Sequence, residues 1–212
     1  MLRTPARFIS SEAEQTGQQK VQEWVQAALR GDLEAFNQLV LAFQDDLFSW
    51  VYHLVSDPSL ADDITQWVFI TAYQKLNTFR NGSFRGWLFQ IAKNRSYDEI
   101  RRQQRHPMIS LQQPIHEETG GELQDWIQDS GISTEGRVEQ QERANAVHQL
   151  LAQLPEEHRQ VLLLIDLNEL NYKEAAEVLR VPVGTVKSRL ARARNGFRKL
   201  ALRTNLPIFS KP

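Results

Sequence analysis

Apolar residues recur every three or four positions through most of the chain, and no segment shows the sustained alternation of a half-buried strand. This spacing predicts helices over residues 19–30, 33–55, 60–76, 83–104, 137–153, 155–167, 172–179 and 184–202. Glycine and proline punctuate the pattern: Gly31, Pro58 and Pro107 each stand at or just after the end of a predicted helix. We therefore expect an all-α fold.

Two of the predicted helices have informative faces. In the fourth, one stripe is apolar and a separate face is polar and basic, so that the first is expected in the core and the second at the surface. The apolar stripe is Phe84, Trp87, Leu88, Ile91 and Ala92, and the polar face is Gln90, Asn94, Tyr97 and Arg101. The third helix is apolar nearly all round, which means that neighbours enclose it, the commoner case, or that it meets a partner.

The C-terminal segment has the pattern of a helix-turn-helix. Asn171 followed by Glu174 is close to a capping box and starts a short helix, which Pro182 must interrupt. The long helix that follows repeats apolar residues at Val186, Leu190, Ala193, Phe197 and Leu200. Its opposite face carries Lys187, Ser188, Ala191 and Arg192 near the N-terminus, where a recognition helix contacts base edges. The alternative is a generic amphipathic surface helix.

Charge is strongly segregated, although the net formal charge of the 212 residues is only −1. Residues 80–105 hold seven basic and two acidic residues, and residues 172–203 hold nine basic and two acidic residues. Residues 106–145, between these blocks, hold eight acidic residues and two arginines. Two basic blocks on separate modules are typical of a protein that binds a polyanion, although charge alone fits solvated helix faces equally well.

Composition also divides the chain into modules. Residues 106–136 contain two prolines and four glycines without a clear period, which is typical of a linker. We expect two small helical domains joined by this flexible acidic linker, with loose tails at both ends. The predicted boundaries are 1–19 (N-terminal tail), 20–105 (first domain), 106–136 (linker), 137–204 (second domain) and 205–212 (C-terminal tail).

Several functional classes are unsupported by the sequence. There is no cysteine, so disulfides, thiolate metal sites and cysteine nucleophiles are excluded. The five histidines lack metal-ligand spacing, no glycine-rich phosphate loop is present, and we expect neither an enzyme nor a cofactor or metal. No apolar run is long enough to span a membrane, so membrane insertion is not expected. The N-terminal residues lack the pattern of a signal peptide, and we therefore expect the protein in the cytoplasm.

Two separate blocks of the sequence contain motifs of a known protein family. The first block, Ala35 to Arg105, contains Asp62-Asp63-Ile64-Thr65-Gln66-Trp67-Val68-Phe69 and Phe84-Arg85-Gly86-Trp87-Leu88-Phe89-Gln90-Ile91-Ala92-Lys93-Asn94. The second, about Leu150 to Leu202, contains Leu154-Pro155-Glu156-Glu157-His158-Arg159 and Pro182-Val183-Gly184-Thr185-Val186-Lys187-Ser188-Arg189-Leu190. With these blocks the chain resembles the extracytoplasmic-function (ECF) sigma factors of bacterial RNA polymerase. The last motif alone is shared with other helix-turn-helix regulators, whereas both blocks in this order are specific.

The resemblance implies a division of labour between the two domains. The first would be sigma region two, which binds the polymerase clamp and opens the −10 promoter element, and the second would be region four, which reads the −35 element as duplex. The implied partners are core RNA polymerase, through its clamp and flap, and promoter DNA in double- and single-stranded form, with an anti-sigma factor as a possible restraint.

The resemblance also assigns residues to each contact. Those implied for the −35 element are Thr185, Lys187, Ser188, Arg189, Ala191 and Arg192. Those implied for the −10 element are Phe79, Arg80, Asn81, Ser83, Lys93, Asn94 and Tyr97, with Phe79 lining a base pocket or serving as a core residue. Those implied for polymerase binding are Asp63, Gln66 and Phe69.

Two positions depart from the family pattern. Trp67 stands where the clamp-binding helix usually has Glu, and Arg180 stands where the helix-turn-helix break usually has Gly. If the backbone at Arg180 needs a positive φ, a residue other than glycine costs on the order of 1 kcal/mol there, which a phosphate contact could offset. The main alternative function is a helix-turn-helix regulator that binds duplex DNA without being a polymerase subunit.

Overall fold

The computed structural model describes residues 11–80, 82–105 and 134–204, with side chains from residue 17 in the first range and residue 143 in the last. Their helices are α1 (Ser11–Leu29), α2 (Leu33–Val55), α3 (Pro58–Gln74), α4 (Phe84–Arg105), α5 (Thr134–Ala152), α6 (Glu156–Leu162), α7 (Tyr172–Leu179) and α8 (Val183–Arg203). A 3-10 turn (Leu76–Thr78) follows α3, and a π turn (Leu163–Leu167) continues α6. The predicted all-α fold is confirmed.

Side-chain caps explain why several helices begin where the sequence predicted. Asp32 accepts a hydrogen bond from the Ala35 amide at 3.1 Å, and Asp57 accepts one from Leu60 at 3.0 Å. The Ser83 hydroxyl oxygen accepts one from the Gly86 amide at 3.1 Å, as expected of a serine at the start of α4. Each cap satisfies a backbone N–H that has no partner within its own helix.

Three predicted boundaries differ from the structure by more than two residues. Helix α1 begins at Ser11, so the N-terminal tail predicted to reach residue 19 is helical from Ser11 onward. Helix α5 begins at Thr134, inside the predicted linker, whose residues 106–133 lie outside the described part of the chain. The helix predicted over 155–167 ends as an α-helix at Leu162 and becomes the π turn, which buried Asn168 closes by donating from its side-chain amide to the Leu163 carbonyl at 2.8 Å.

Helices α1–α4, the first unit, pack around large buried side chains. Trp50 of α2 meets Phe89 of α4 with their ring centroids 5.5 Å apart, and both side chains are fully buried. Phe89 was not in the predicted core stripe of α4, whereas Trp87 and Ile91, which were, are half-buried. One side of helix α3 is enclosed in the core, which was the commoner alternative, whereas Trp67, Ile70 and Tyr73 on its other side are exposed.

Helices α5–α8, the second unit, contain the helix-turn-helix. The predicted core face of α8 is confirmed at Val186, Leu190, Ala193 and Phe197, which are buried, and Leu200 is half-buried. Asn171 and Glu174 form the complete capping box at the start of α7, so the first helix of the motif is fixed locally. Among the described residues, none of the helices is long and apolar enough to cross a membrane.

The two units pack against each other, chiefly through α4 and α7. The Lys93 ammonium of α4 donates to the Val178 carbonyl of α7 at 2.6 Å, and the Gln90 amide donates to the Glu177 carbonyl at 3.4 Å. A second contact joins α2 to α5, where the rings of His53 and His148 meet. The polar face of α4 is therefore partly covered by the second unit.

Candidate nucleic-acid interface

The N-terminal half of α8 presents a cationic outer face. Because Val186 and Leu190 are buried, the intervening positions point away from the core, and Lys187, Ser188, Ala191 and Arg192 are all exposed. The Lys187 ammonium lies 5.6 Å from the centre of the exposed Tyr172 ring, within the range of a cation–π contact. This face has the position and charge of a recognition surface for duplex DNA.

Two other residues assigned to this surface are held more closely to the protein. Thr185 and Arg189 are half-buried, and the Arg189 guanidinium pairs with the Glu157 carboxylate of α6 at 2.6 Å. The Ser188 hydroxyl donates to the Thr185 carbonyl at 3.0 Å, which leaves its oxygen as an acceptor. The structure thus brings the six residues onto one end of α8, where four are exposed, Thr185 is half-buried and Arg189 is paired with α6.

The break between α7 and α8 is built on a left-handed residue. Arg180 has φ 55° and ψ 47°, so the positive φ considered from the sequence is present. Its amide donates to the Glu177 carbonyl at 3.3 Å and the Val181 amide donates to Ala176 at 3.1 Å, which is the hydrogen-bond pair of a Schellman motif. Pro182 then precedes the first turn of α8, and the Arg180 side chain is exposed beside it.

The loop before α4 is anchored by aromatic packing. Phe79 contacts Phe84 and Trp87 with ring centroids 5.8 and 5.5 Å apart, and its side chain is half-buried. Phe79 is therefore part of the packing of this corner while one side of it remains accessible. Arg80 is exposed, Asn81 lies outside the described residues, and Gly82 has φ 108°, a value that favours glycine.

Ser83 caps the start of α4, and three further residues assigned to the −10 element lie on α4 in different environments. Asn94 is exposed, whereas Lys93 is half-buried and bound to the Val178 carbonyl. Burial, and secondarily the nearby Arg180 charge, lowers the pKa of Lys93. The Tyr97 hydroxyl lies within hydrogen-bond distance of Gln160, and burial raises the pKa of Tyr97. In this conformation the second unit therefore engages two of the three side chains.

Helix α3 offers a mixed polar and apolar surface. Asp63 and Gln66 are exposed, but the Phe69 side chain is only 7 % exposed, so the structure does not place its ring on this surface. Sequence reasoning missed Ile70 and Tyr73, which are exposed on the same helix as Trp67. Ile70 is three positions from Trp67 and Tyr73 is three positions from Ile70, and this spacing was the signal that each residue lies beside the previous one on the helix surface. The Arg95 guanidinium of α4 lies over the Trp67 ring, 5.2 Å from its centre.

Family comparisons match both units. Residues 39–106 match the model of sigma-70 region 2, and residues 144–195 match that of sigma-70 region 4. The chain is 32 % identical over 180 residues to the ECF RNA polymerase sigma factor SigW of Bacillus subtilis, covering 84 % of this chain and 95 % of SigW. It is 36 % identical over 178 residues to the ECF RNA polymerase sigma-E factor of Escherichia coli K12, covering 82 % of this chain and 90 % of that protein.

Solved structures agree with the fold. RpoE of Bartonella quintana, solved in complex with the anti-sigma factor NepR, matches with a TM-score of 0.58 at 27 % identity, over 80 % of this chain and 98 % of the compared chain. CnrH in complex with the cytosolic domain of CnrY matches with a TM-score of 0.65 at 24 % identity, over 88 % of this chain and 99 % of the compared chain, which supports the fold alone. Because both regions match in order and the relatives align over most of their length, the chain belongs to the ECF sigma factors of the sigma-70 family.

Proposed function

We propose that this protein is an alternative sigma factor that binds core RNA polymerase, recognises the −35 and −10 elements of its promoters and promotes melting of the DNA. The observation that carries the proposal is the exposed cationic face at the start of α8 in a chain that also carries a sigma region 2. Residues 20–105 would form region two and residues 137–204 region four. The protein would act in the cytoplasm, and polymerase rather than this chain would form the phosphodiester bonds.

Region four would read the −35 element in the major groove. The exposed Arg192 guanidinium has the geometry to donate two hydrogen bonds to guanine, and the methyl group of Ala191 suits a thymine methyl. Lys187 and Ser188 lie one turn nearer the N-terminus of α8, where base edges are reached first. The Arg180 side chain, at the break before α8, would contact a phosphate.

Region two would hold an unstacked base of the −10 element. Such a base needs a pocket, a stacking surface and polar groups for its edge. The Phe79 loop is the candidate for the pocket and the stacking surface, and the exposed Asn94 amide is the candidate polar group for the base edge. The exposed Arg80 adds positive charge for the DNA backbone. Unstacking costs about a few kcal/mol per base step, which single-strand capture and the polymerase contacts would offset.

The exposed face of α3 would bind polymerase. Asp63 and Gln66 supply polar contacts, and Trp67, Ile70 and Tyr73 add apolar area that a partner would bury. Trp67, which departs from the family pattern, would thus replace a polar contact by an apolar one. Phe69 would support this face from the core rather than touch the partner.

The packing of α7 on α4 sets a condition on this function. Lys93 is half-buried where α4 packs on α7, and its ammonium is bound to the Val178 carbonyl, so its contact with DNA would require the two units to separate. An anti-sigma factor that stabilises the packed form would restrain the protein. The solved relative RpoE is a complex with such a factor, which supports a similar partner here.

Transcription with purified components tests the proposal. Core polymerase would be incubated with genomic fragments, with and without the protein, and the 5′ ends of the transcripts would be mapped. We expect new start sites that share upstream sequence at two positions and disappear with the Arg192→Ala variant. A protein that binds duplex fragments tightly on its own and leaves initiation by core unchanged would instead be the regulator without a polymerase role.

A further inference from the structure

A pair of histidines joins α2 of the first unit to α5 of the second. His53 of α2 and His148 of α5 lie with their Nδ1 atoms 2.9 Å apart and their ring centroids 5.0 Å apart. The Tyr52 ring stacks on His148 at 4.7 Å, and His148 Nε2 lies 3.2 Å from the Ser56 hydroxyl oxygen. Three side chains of the first unit therefore hold one imidazole of the second.

The Nδ1–Nδ1 contact limits the protonation states of the pair. One Nδ1 must donate a proton and the other must accept it, which requires at least one neutral ring. If His53 donates, His148 accepts at Nδ1 and its Nε2–H is free to donate to Ser56, so that both neutral rings are satisfied. Two imidazolium rings would present two donors to each other and break this bond.

The surroundings oppose even the first positive charge. Arg159 of α6 is the cation that acts on both rings, and its Nε is buried without a hydrogen-bond partner among the described residues. Burial, followed by His148 and Arg159, lowers the pKa of His53 to about 4, and burial and Arg159 lower that of His148. The facing groups are thus Tyr52 and Ser56 from α2, His148 from α5 and Arg159 from α6.

We propose that His53 and His148 form an acid-sensitive latch, which holds the two units together when both rings are neutral and releases them when the rings take up protons. In the open form both rings meet water and regain an ordinary pKa near 6.5. The open form therefore binds protons more tightly, and the population of the closed form falls relative to the open form as the pH drops below about 6.5. For His53 alone this lowers the ratio of closed to open molecules about tenfold at pH 5.5, and protonation of His148 adds to it.

The latch has a consequence for the promoter-binding face. The same closure that joins the histidines holds Lys93 against Val178, so acid would expose the polar face of α4. This consequence rests on the proposed function, whereas the latch itself is a property of the free protein. A conformational measurement without DNA or polymerase therefore tests the latch independently of sigma activity.

Fluorescence energy transfer between the units measures the latch directly. The chain contains no cysteine, so Asn37→Cys and Lys199→Cys, both at exposed positions, give two unique labelling sites, one in each unit. Single-molecule histograms recorded between pH 7.5 and pH 5 with pH-insensitive dyes should show the closed population falling, by about tenfold relative to the open one at pH 5.5. The His53→Gln/His148→Gln variant should respond less than twofold.

His158→Gln serves as the matched control, because His158 lies on α6, beside Glu157 and outside the pair. This variant should keep the full pH response. A wild-type histogram that does not change with pH, or a response that survives in the double variant, would overturn the proposal. If the double variant does not fold, histidine ring NMR of the wild-type chain decides: His53 titrating near its ordinary pKa while the units remain closed would also overturn it.

Discussion

Replacing Arg180 by glycine should stabilise the second unit while weakening promoter binding. Arg180 sits at φ 55° in the Schellman motif that ends α7, a conformation in which glycine has no Cβ to clash. The Arg180→Ala variant is the matched control, since it also removes the guanidinium but keeps a Cβ. The difference between the two variants therefore reports the backbone alone.

The expected magnitude follows from two opposing effects. A left-handed conformation costs a residue with a Cβ roughly 1–2 kcal/mol. Glycine loses more conformational entropy on folding than alanine does, and this effect lowers the free energy of unfolding of the glycine variant by about 0.4–1 kcal/mol. The free energy of unfolding should thus be about 0.5–1 kcal/mol higher for Arg180→Gly than for Arg180→Ala. For a module of this size the difference raises the Tm by about 2–8 °C.

Calorimetry of the full chain measures the stability difference, and transcription at several salt concentrations measures the loss of a phosphate contact. Both variants should initiate more weakly than wild type and show a shallower salt dependence, because both lack the same cation. An alanine variant as stable as the glycine variant would refute the strain argument. Full activity in both variants would show that no phosphate contact of Arg180 compensates for the backbone strain at this position.

Three further predictions concern the two units. Arg192→Ala or Lys187→Ala should weaken initiation by about 1–3 kcal/mol if the residue contacts a base, with specificity relaxed at one −35 position; transcription from single-base promoter variants checks this, and equal loss on all of them would contradict it. Asn94→Ala should impair DNA melting, measured by permanganate reactivity, more than affinity for core polymerase, and equal losses would contradict a pocket role. Leu190→Asp puts a carboxylate at a position only 2 % exposed and should unfold the second unit, seen as lost helical circular dichroism; a cooperatively melting, fully helical variant would show that the core face of α8 is misassigned.

Much of the local structure follows from short-range chemistry. Helix α2 spans Leu33–Val55, as predicted, because Asp32 caps its start and Ser56 takes a left-handed conformation just before Asp57 and Pro58. The capping box at Asn171 and the buried face of α8 were also readable, since each depends on residues at most a few turns apart. For the same reason the exposed positions of Lys187, Ser188 and Arg192 could be predicted from the period of their apolar neighbours.

The burial of individual aromatic residues depended on packing between helices. Phe69 and Phe89 lie in the core, although Phe69 was assigned to a partner-binding surface and Phe89 fell outside the predicted stripe of α4. A helix that neighbours cover on more than one side has a core arc wider than a single stripe. Which residues fall inside that arc is decided by the neighbouring helices and not by the spacing of apolar residues.

The sequence by itself determined the helical elements, the two family blocks and the outward cationic face of α8, because these depend on local spacing and capping. Only the tertiary structure decided that Lys93 and Tyr97 lie against the second unit and that His53 meets His148. Those residues are 63 to 95 positions from their partners. Contacts between them form when two packed units meet, and no periodicity within either helix encodes that meeting.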